Sequence, residues 1–131
     1  MEGQQKIRNT FPKQERLNSK KKIEKLFDKG TSKRAGCINM VYLITDQESD
    51  VPVKVMFSVP KRQFRRAVDR NLLRRRMREA YRLNKMDFTE VCKKENKTFT
   101  GAFIYTGKSL EGYAIIEEKI KYLLGMIELK T

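Results

Sequence analysis

The chain has 131 residues, which favours one domain large enough to bury a hydrophobic core. Lysine and arginine number 30 against 16 acidic residues, so the formal net charge is +14. That excess predicts a polyanionic partner, either nucleic acid or an anionic membrane surface. The sequence contains no histidine, which excludes Ser-His-Asp and Cys-His catalytic pairs and removes the commonest general acid–base.

No segment is typical of a membrane span, a secretion signal or a metal site. The N-terminal residues MEGQQKIRNT are polar, and the longest apolar run, INMVYLI, is far too short to cross a bilayer. We therefore expect a soluble, cytoplasmic protein. Cys37 and Cys92 stand far apart and outside metal-ligand spacing. A disulfide stays open, but a cytoplasmic chain favours two ordinary reduced thiols.

The first third of the chain predicts an arm followed by a capped helix. Residues 1–15 are polar and basic and predict a flexible arm, and residues 16–131 predict a single folded domain. Ser19 is a candidate N-cap for a helix over Lys20–Lys29 that ends at Gly30. The apolar face of this helix holds Ile23, Leu26 and Phe27.

Two strands are predicted next. Residues 37–45 are rich in β-branched and aromatic side chains, and residues 51–59 alternate between an apolar and a mixed face. We expect them to form an antiparallel pair, joined by a turn over residues 46–50. Pro60 ends the second strand and begins a basic loop, PKRQFRR.

The rest of the chain predicts three helices and one strand. A helix is expected over residues 67–83, a less regular helix over 85–96, a strand over 98–107 and an amphipathic helix over 112–128. This order of elements favours an α+β fold, a small two-layer sandwich in which helices pack on one sheet.

The segment VDRNLLRRRMREAYR, residues 68–82, carries six arginines. At helical spacing, Arg70, Arg74, Arg78 and Arg82 form one ridge, and Leu73, Met77 and Ala80 lie roughly opposite. Val68, Leu72 and Leu83 form a second apolar strip, and Glu79 is placed to compensate Arg75.

Charges of one sign dominate this region. From Lys61 to Arg82 there are ten basic residues and two acidic ones, whereas a solvated helix face mixes both signs. Arginine also favours planar, bidentate contacts with phosphate. The helix lacks the large apolar face of a membrane-binding helix, and no second helix immediately precedes it as in a helix-turn-helix DNA reader. We therefore favour RNA over membrane or DNA.

The sequence resembles the protein subunit of bacterial ribonuclease P over residues 16–127. The motifs are RLNSKKKIEKLFDKG at the first helix, VMFSVPKRQFRRAVDRNLLRRRMREAYR around the arginine helix, and FIYTGKSLEGYAIIEEKIKYLL near the end. The middle motif is similar to the family's RNR signature helix. Leu72 stands where the family has the third residue of RNR, and Ile23 stands where its first helix often has phenylalanine.

The resemblance implies a fold, partners and a site. It implies an α/β sandwich with a left-handed crossover between parallel strands, against the usual right-handed rule. It implies a catalytic RNA partner that removes the 5′ leader of precursor tRNA with Mg²⁺, so that no catalytic residue, cofactor or metal site is expected on this chain. The implied RNA contacts are Lys61, Arg62, Arg65, Arg66, Arg70, Asn71, Arg74, Arg75 and Arg78. The implied leader cleft contains Ile23, Phe27 and Tyr42, although Tyr42 fits the core equally well.

Two other functions compete with this one. A ribosomal or other structural RNA-binding protein would carry the same basic helix without any processing role. A nuclease acting alone would need clustered carboxylates to hold a metal ion. Asp46, Glu48 and Asp50 are the nearest approach to such a cluster, and a hairpin turn explains them better.

Overall fold

A computed structural model describes Phe11, residues 13–46 and residues 51–127. Of the predicted 46–50 turn, the structure describes only Asp46. Residue 128, the last of the predicted 112–128 helix, also lies outside the described residues. The described helices are a short 3₁₀ helix Lys13–Glu15, α1 Lys20–Lys29, α2 Ala67–Asn84, α3 Met86–Lys94 and α4 Tyr113–Met126. The strands are β1 Thr31–Ala35, β2 Ile38–Asp46, β3 Val53–Ser58 and β4 Lys97–Tyr105.

Helix α1 begins and ends where its capping residues predicted. The Ser19 side chain accepts a hydrogen bond from the backbone N–H of Lys22 at 3.4 Å, as an N-cap should. Gly30 closes the helix by donating its backbone N–H to the carbonyl of Leu26 at 2.7 Å. A side chain at position 30 would place its Cβ only 2.5 Å from that carbonyl oxygen, so the close turn requires glycine.

The four strands form one mixed sheet in the order β1-β2-β4-β3. Strand β2 pairs antiparallel with both β1 and β4, and β3 pairs parallel with β4. The predicted antiparallel pairing of the second and third strands is therefore wrong, because β4 lies between them. Strand β1 was not predicted, since Ala35 is the only apolar residue in its sequence TSKRA. It joins β2 through a tight turn in which Gly36 adopts a φ of 53°.

The connection from β3 to β4 runs through α2 and α3 and joins two adjacent parallel strands. This is the crossover that the resemblance implied, and its handedness stays a prediction. The α+β class, with helices packed on a small sheet, is confirmed.

The two faces of the sheet are covered differently. Helices α2, α3 and α4 enclose the main core, which includes an aromatic group of Phe57, Tyr81 and Phe103 with ring centroids 5.6–5.9 Å apart. Helix α1 packs on the opposite face, where Leu26 joins a smaller cluster. The sheet therefore has helices on both faces, with three on the main-core face and α1 on the other.

The segment before α1 is folded against the domain. The Phe11 ring meets Phe57 and Tyr81 edge-on at 5.7 and 5.9 Å. Arg16 forms a parallel bridge with Val55, which covers part of the exposed edge of β3. Phe11 and Lys13–Glu15 fall within the arm predicted over residues 1–15 and belong to the packed structure. Residues 1–10 of that arm lie outside the described residues.

Cys37 is half-buried and Cys92 is buried, and both are free thiols, as predicted. Burial raises the pKa of Cys92 to about 12, so this thiol is protonated at neutral pH and is a poor nucleophile. Across the described residues, no helix is both long and apolar enough to span a membrane.

Candidate nucleic-acid interface

The basic loop between β3 and α2 is fixed by one buried ring. Phe64 lies in the core, edge-on to Tyr105 at 5.7 Å between centroids. The loop cations around it all project into solvent: Lys61, Arg62, Arg65 and Arg66. The loop is therefore a rigid base that presents four predicted RNA contacts outward.

Arg70 ties this loop to helix α2. Its Nη1 donates to the carbonyl oxygens of Phe64 at 2.7 Å and Arg65 at 2.8 Å. These bonds use the Nη1 protons, so the Nε and Nη2 groups can still meet a phosphate. Arg70 therefore holds the shape of the loop as well as contributing charge, a role that spacing along a helix does not reveal.

The remaining predicted residues of α2 are organised by short-range pairs. The Asn71 side-chain oxygen accepts a hydrogen bond from Nη2 of Arg74, which fixes that guanidinium on the surface of α2. Asn71, Arg75 and Arg78 are exposed. The loop cations and these α2 residues are thus adjacent along the chain, and the Arg70 hydrogen bonds join the loop to the first turn of α2.

Glu79 pairs with Arg82 rather than with the predicted Arg75. Arg82 donates to both carboxylate oxygens of Glu79, at 2.5 and 3.1 Å. This hydrogen bonding lowers the pKa of Glu79, so the carboxylate stays ionised at neutral pH. The compensated position is therefore Arg82, at the end of α2, and Glu79 does not compensate Arg75.

The α2 apolar residues divide between core and surface. Leu73, Met77, Ala80 and Tyr81 are buried in the main core. Val68 is 60% exposed and Leu83 is 43% exposed, so the second apolar strip does not enter the core. Arg76, which was not among the predicted RNA contacts, points toward α4, where its Nη1 donates to the carbonyl of Glu111 at 2.6 Å.

The predicted leader cleft is only partly assembled. Phe27 is 49% exposed on α1, and the half-buried Ile23 packs against the cluster on that face of the sheet. Tyr42 lies on the opposite face, buried in the main core and stacked on Phe99 at 5.7 Å. The structure therefore removes Tyr42 from a cleft that contains Phe27, because strand alternation turns Val41 and Leu43 toward α1 instead.

Two residues beside α1 were missed. Met56 and Ile104 are partly buried on the same face of the sheet as α1 and form an apolar floor next to it. The alternation of residues 51–59 places Met56 on the opposite face of the strand from the core-facing valines. The sequence therefore indicated that Met56 lies on the other face of the sheet. Among the described residues, no three His, Cys, Asp or Glu side chains gather into a group that could hold a metal ion.

Comparisons by sequence and by fold both find ribonuclease P proteins. The family model described as Ribonuclease P matches residues 11–94. A ribonuclease P protein component of Chlorobaculum tepidum is 38% identical over 62% of this chain and 54% of the relative, so the match spans about half of that protein. Another, from Chlorobium phaeobacteroides, is 32% identical over 92% of this chain and 90% of the relative.

The fold is similar to solved ribonuclease P proteins. The structure from Thermotoga maritima superposes with a TM-score of 0.65, at 23% identity, over 87% of this chain and 98% of that one. The structure from Staphylococcus aureus superposes with a TM-score of 0.62, at 17% identity, over 86% and 94% of the two chains. These likenesses support the architecture described above.

Proposed function

The chain belongs to the ribonuclease P protein family, and we propose that its basic loop and helix α2 bind the catalytic RNA while the α1 face of the sheet meets the 5′ leader of precursor tRNA. As a family member the chain is an accessory subunit of an endoribonuclease ribonucleoprotein that acts in tRNA processing.

One observation carries the proposal for the RNA contact. The exposed cations of the basic loop adjoin those of α2 along the chain, and the buried Phe64 ring and the Arg70 hydrogen bonds anchor the backbone between them. A rigid array of guanidinium groups loses little side-chain freedom on binding and matches phosphate oxygens in a bidentate way. The RNA contacts in this proposal are Lys61, Arg62, Arg65, Arg66, Arg70, Asn71, Arg74, Arg75 and Arg78.

The leader contact rests on a different surface. Phe27 exposes about half of its surface on α1, and the same helix packs through Leu26 on the apolar cluster that includes Met56 and Ile104. An exposed aromatic ring can stack on any base, which suits a leader whose sequence varies between substrates. Lys20, Lys21, Lys22 and Lys25 are exposed on the same helix and would meet the leader phosphates.

The chemistry in this proposal belongs to the RNA. Mg²⁺ bound with the RNA would assist water in hydrolysing the phosphodiester bond between leader and mature tRNA. This chain would contribute binding and positioning of the leader. A place of action in the cytoplasm follows from this role and stays a prediction.

A purely structural RNA-binding role is not favoured, since the relatives and structural neighbours are ribonuclease P proteins. The two roles separate in a competition experiment. Labelled ribonuclease P RNA should be displaced by unlabelled ribonuclease P RNA and resist a ribosomal RNA fragment of equal length. Equal displacement by both competitors would contradict the proposed partner.

A further inference from the structure

A cleft lies between α2 and the start of α4, next to the exposed cations of α2. Its volume is about 360 Å³, within the roughly 300–1,000 Å³ typical of small-ligand pockets. Five side chains line it: Leu72, Arg75, Arg76, Glu79 and Tyr113. Leu72 stands where the motif described under Sequence analysis has an arginine, and it gives the cleft of this chain an apolar group.

Two of the lining residues offer apolar surface. Leu72 is half-buried on α2, and Tyr113 is half-buried at the start of α4. The Tyr113 ring packs against the main core, and its hydroxyl donates to Oε2 of Glu117 at 3.3 Å. The ring is therefore held in place and keeps part of its surface turned to the cleft.

The three charged groups of the cleft differ in their hydrogen-bond partners and exposure. Arg76 is anchored to the carbonyl of Glu111, which links α2 to the loop before α4. Arg75 is exposed at the rim. Glu79 is ionised and held by Arg82, and a carboxylate has more acceptor positions than these two hydrogen bonds occupy.

We propose that this cleft receives one unpaired nucleobase of the RNA partner, packed between Tyr113 and Leu72. Arg75 then contacts a flanking phosphate, and Glu79 accepts a hydrogen bond from an amino group on the base edge. Adenine, cytosine and guanine carry such a group, whereas uracil does not. This inference rests on the proposed function, because the base must belong to the RNA that α2 binds.

The composition of the cleft favours a base over a bare phosphate. An ionised Glu79 repels an anion placed deep in the cleft, whereas it pairs with the donor groups of a base. A stacking ring and a leucine add apolar contact that a phosphate cannot use. Arginine at position 72 would fill the apolar half of the cleft, whereas Leu72 leaves room there for a base.

The test uses the full chain and ribonuclease P RNA as the probe. Tyr113→Leu keeps apolar volume and removes the stacking surface, and Tyr113→Phe keeps the ring as a matched control. We expect Tyr113→Leu to weaken RNA binding about 5- to 160-fold, the range of one base–aromatic stack, with an unchanged salt dependence. Tyr113→Phe should bind within about twofold of the unmodified chain.

Chemical probing identifies the base directly. Dimethyl sulfate and kethoxal, which modify the pairing edges of unpaired bases, should find one nucleotide protected by the unmodified chain and by Tyr113→Phe, and reactive with Tyr113→Leu. Leu72→Arg should also expose that nucleotide, although it adds a positive charge that by itself tightens RNA binding.

The outcomes separate the two proposals. If the unmodified chain binds the RNA while Tyr113→Leu and Leu72→Arg change neither the affinity nor the protected nucleotides, the base pocket is overturned and the proposed function stands. If the unmodified chain fails to bind ribonuclease P RNA, the proposed function fails and the pocket falls with it. Melting temperatures measured for each variant show whether a loss of binding reflects unfolding. If Tyr113→Leu unfolds the chain, Leu72→Arg tests the pocket instead, because Leu72 is partly exposed on α2.

Discussion

Lys85 and Glu15, 70 positions apart in sequence, form an ion pair in which Nζ of Lys85 donates to Oε1 of Glu15 at 2.6 Å. The Lys85 side chain is only 2% exposed and sits at the junction of α2 and α3, while Glu15 is 20% exposed in the segment before α1. A buried ammonium requires a partner of opposite charge. The pair therefore fastens the segment before α1 to the end of helix α2.

Removing the acidic partner should destabilise the whole domain. Glu15→Ala leaves the Lys85 charge buried without this carboxylate, and we expect a loss of about 3–5 kcal/mol in the free energy of unfolding, measured by urea denaturation. The double replacement Glu15→Leu with Lys85→Met should recover most of that loss, because it removes both charges together. A single variant as stable as the unmodified chain would show that the pair contributes little.

Charge removal on α2 should weaken RNA binding without affecting the fold. If roughly five phosphates are neutralised, the slope of log affinity against log salt should be near −4, and Arg74→Ala with Arg78→Ala should make it shallower by about 1.5. The melting temperature should barely change, since both side chains lie outside the core. Lys93→Ala with Lys94→Ala removes the same charge from α3 and serves as the control; equal weakening by both pairs would argue for a diffuse field instead of a defined α2 contact.

Substitutions of Phe27 and of its neighbour Leu26 should have different effects, on tRNA discrimination in the first case and on stability in the second. Phe27→Ala should change the free energy of unfolding by less than about 1 kcal/mol, because the ring is half exposed. It should reduce the preference of the assembled enzyme for precursor over mature tRNA, since a base–aromatic stack contributes about 1–3 kcal/mol.

Leu26→Ala provides the matched comparison on the same helix. Leu26 is 0% exposed, so its truncation should cost about 2–5 kcal/mol of stability. A large stability loss for Phe27→Ala with unchanged tRNA discrimination would place Phe27 in the core and remove it from the leader cleft.

Local signals in the sequence predicted the helices well. The first helix was predicted over Lys20–Lys29 and is found there, because Ser19 and Gly30 act within one turn of its ends. Helix α2 was predicted over residues 67–83 and runs Ala67–Asn84. Both boundaries depend on interactions between near neighbours in the chain, which sequence spacing captures.

Long-range pairing was not predictable in the same way. Nothing in residues 37–59 indicates that a strand some fifty residues later will enter between β2 and β3, and β1 carries no apolar alternation because it is an exposed edge strand. The burial of Phe11 and of Lys85 depends likewise on partners distant in sequence. Contacts of this kind are decided by how the layers pack, which one sequence does not specify locally.

For side chains of the candidate site, local spacing likewise predicted positions on a helix face but not the partners that they contact. The sequence located the cations of α2, because helical spacing fixes which residues share a face. It placed Phe27 on the apolar face of its helix and did not show that the ring is about half exposed. It misassigned the partner of Glu79 and could not choose a face for Tyr42, because the first depends on rotamers and the second on strand phase. The carbonyl contacts of Arg70 depend on the path of a loop, for which spacing carries no information.

The most direct test of the account is reconstitution of precursor tRNA cleavage at low Mg²⁺ with purified ribonuclease P RNA. We expect the RNA alone to cleave slowly under these conditions, the protein alone to cleave nothing, and the two together to release the 5′ leader at a restored rate. Absence of stimulation by correctly folded protein, or cleavage by protein freed of all RNA by nuclease treatment, would contradict the assignment of this chain as the RNA-binding accessory subunit.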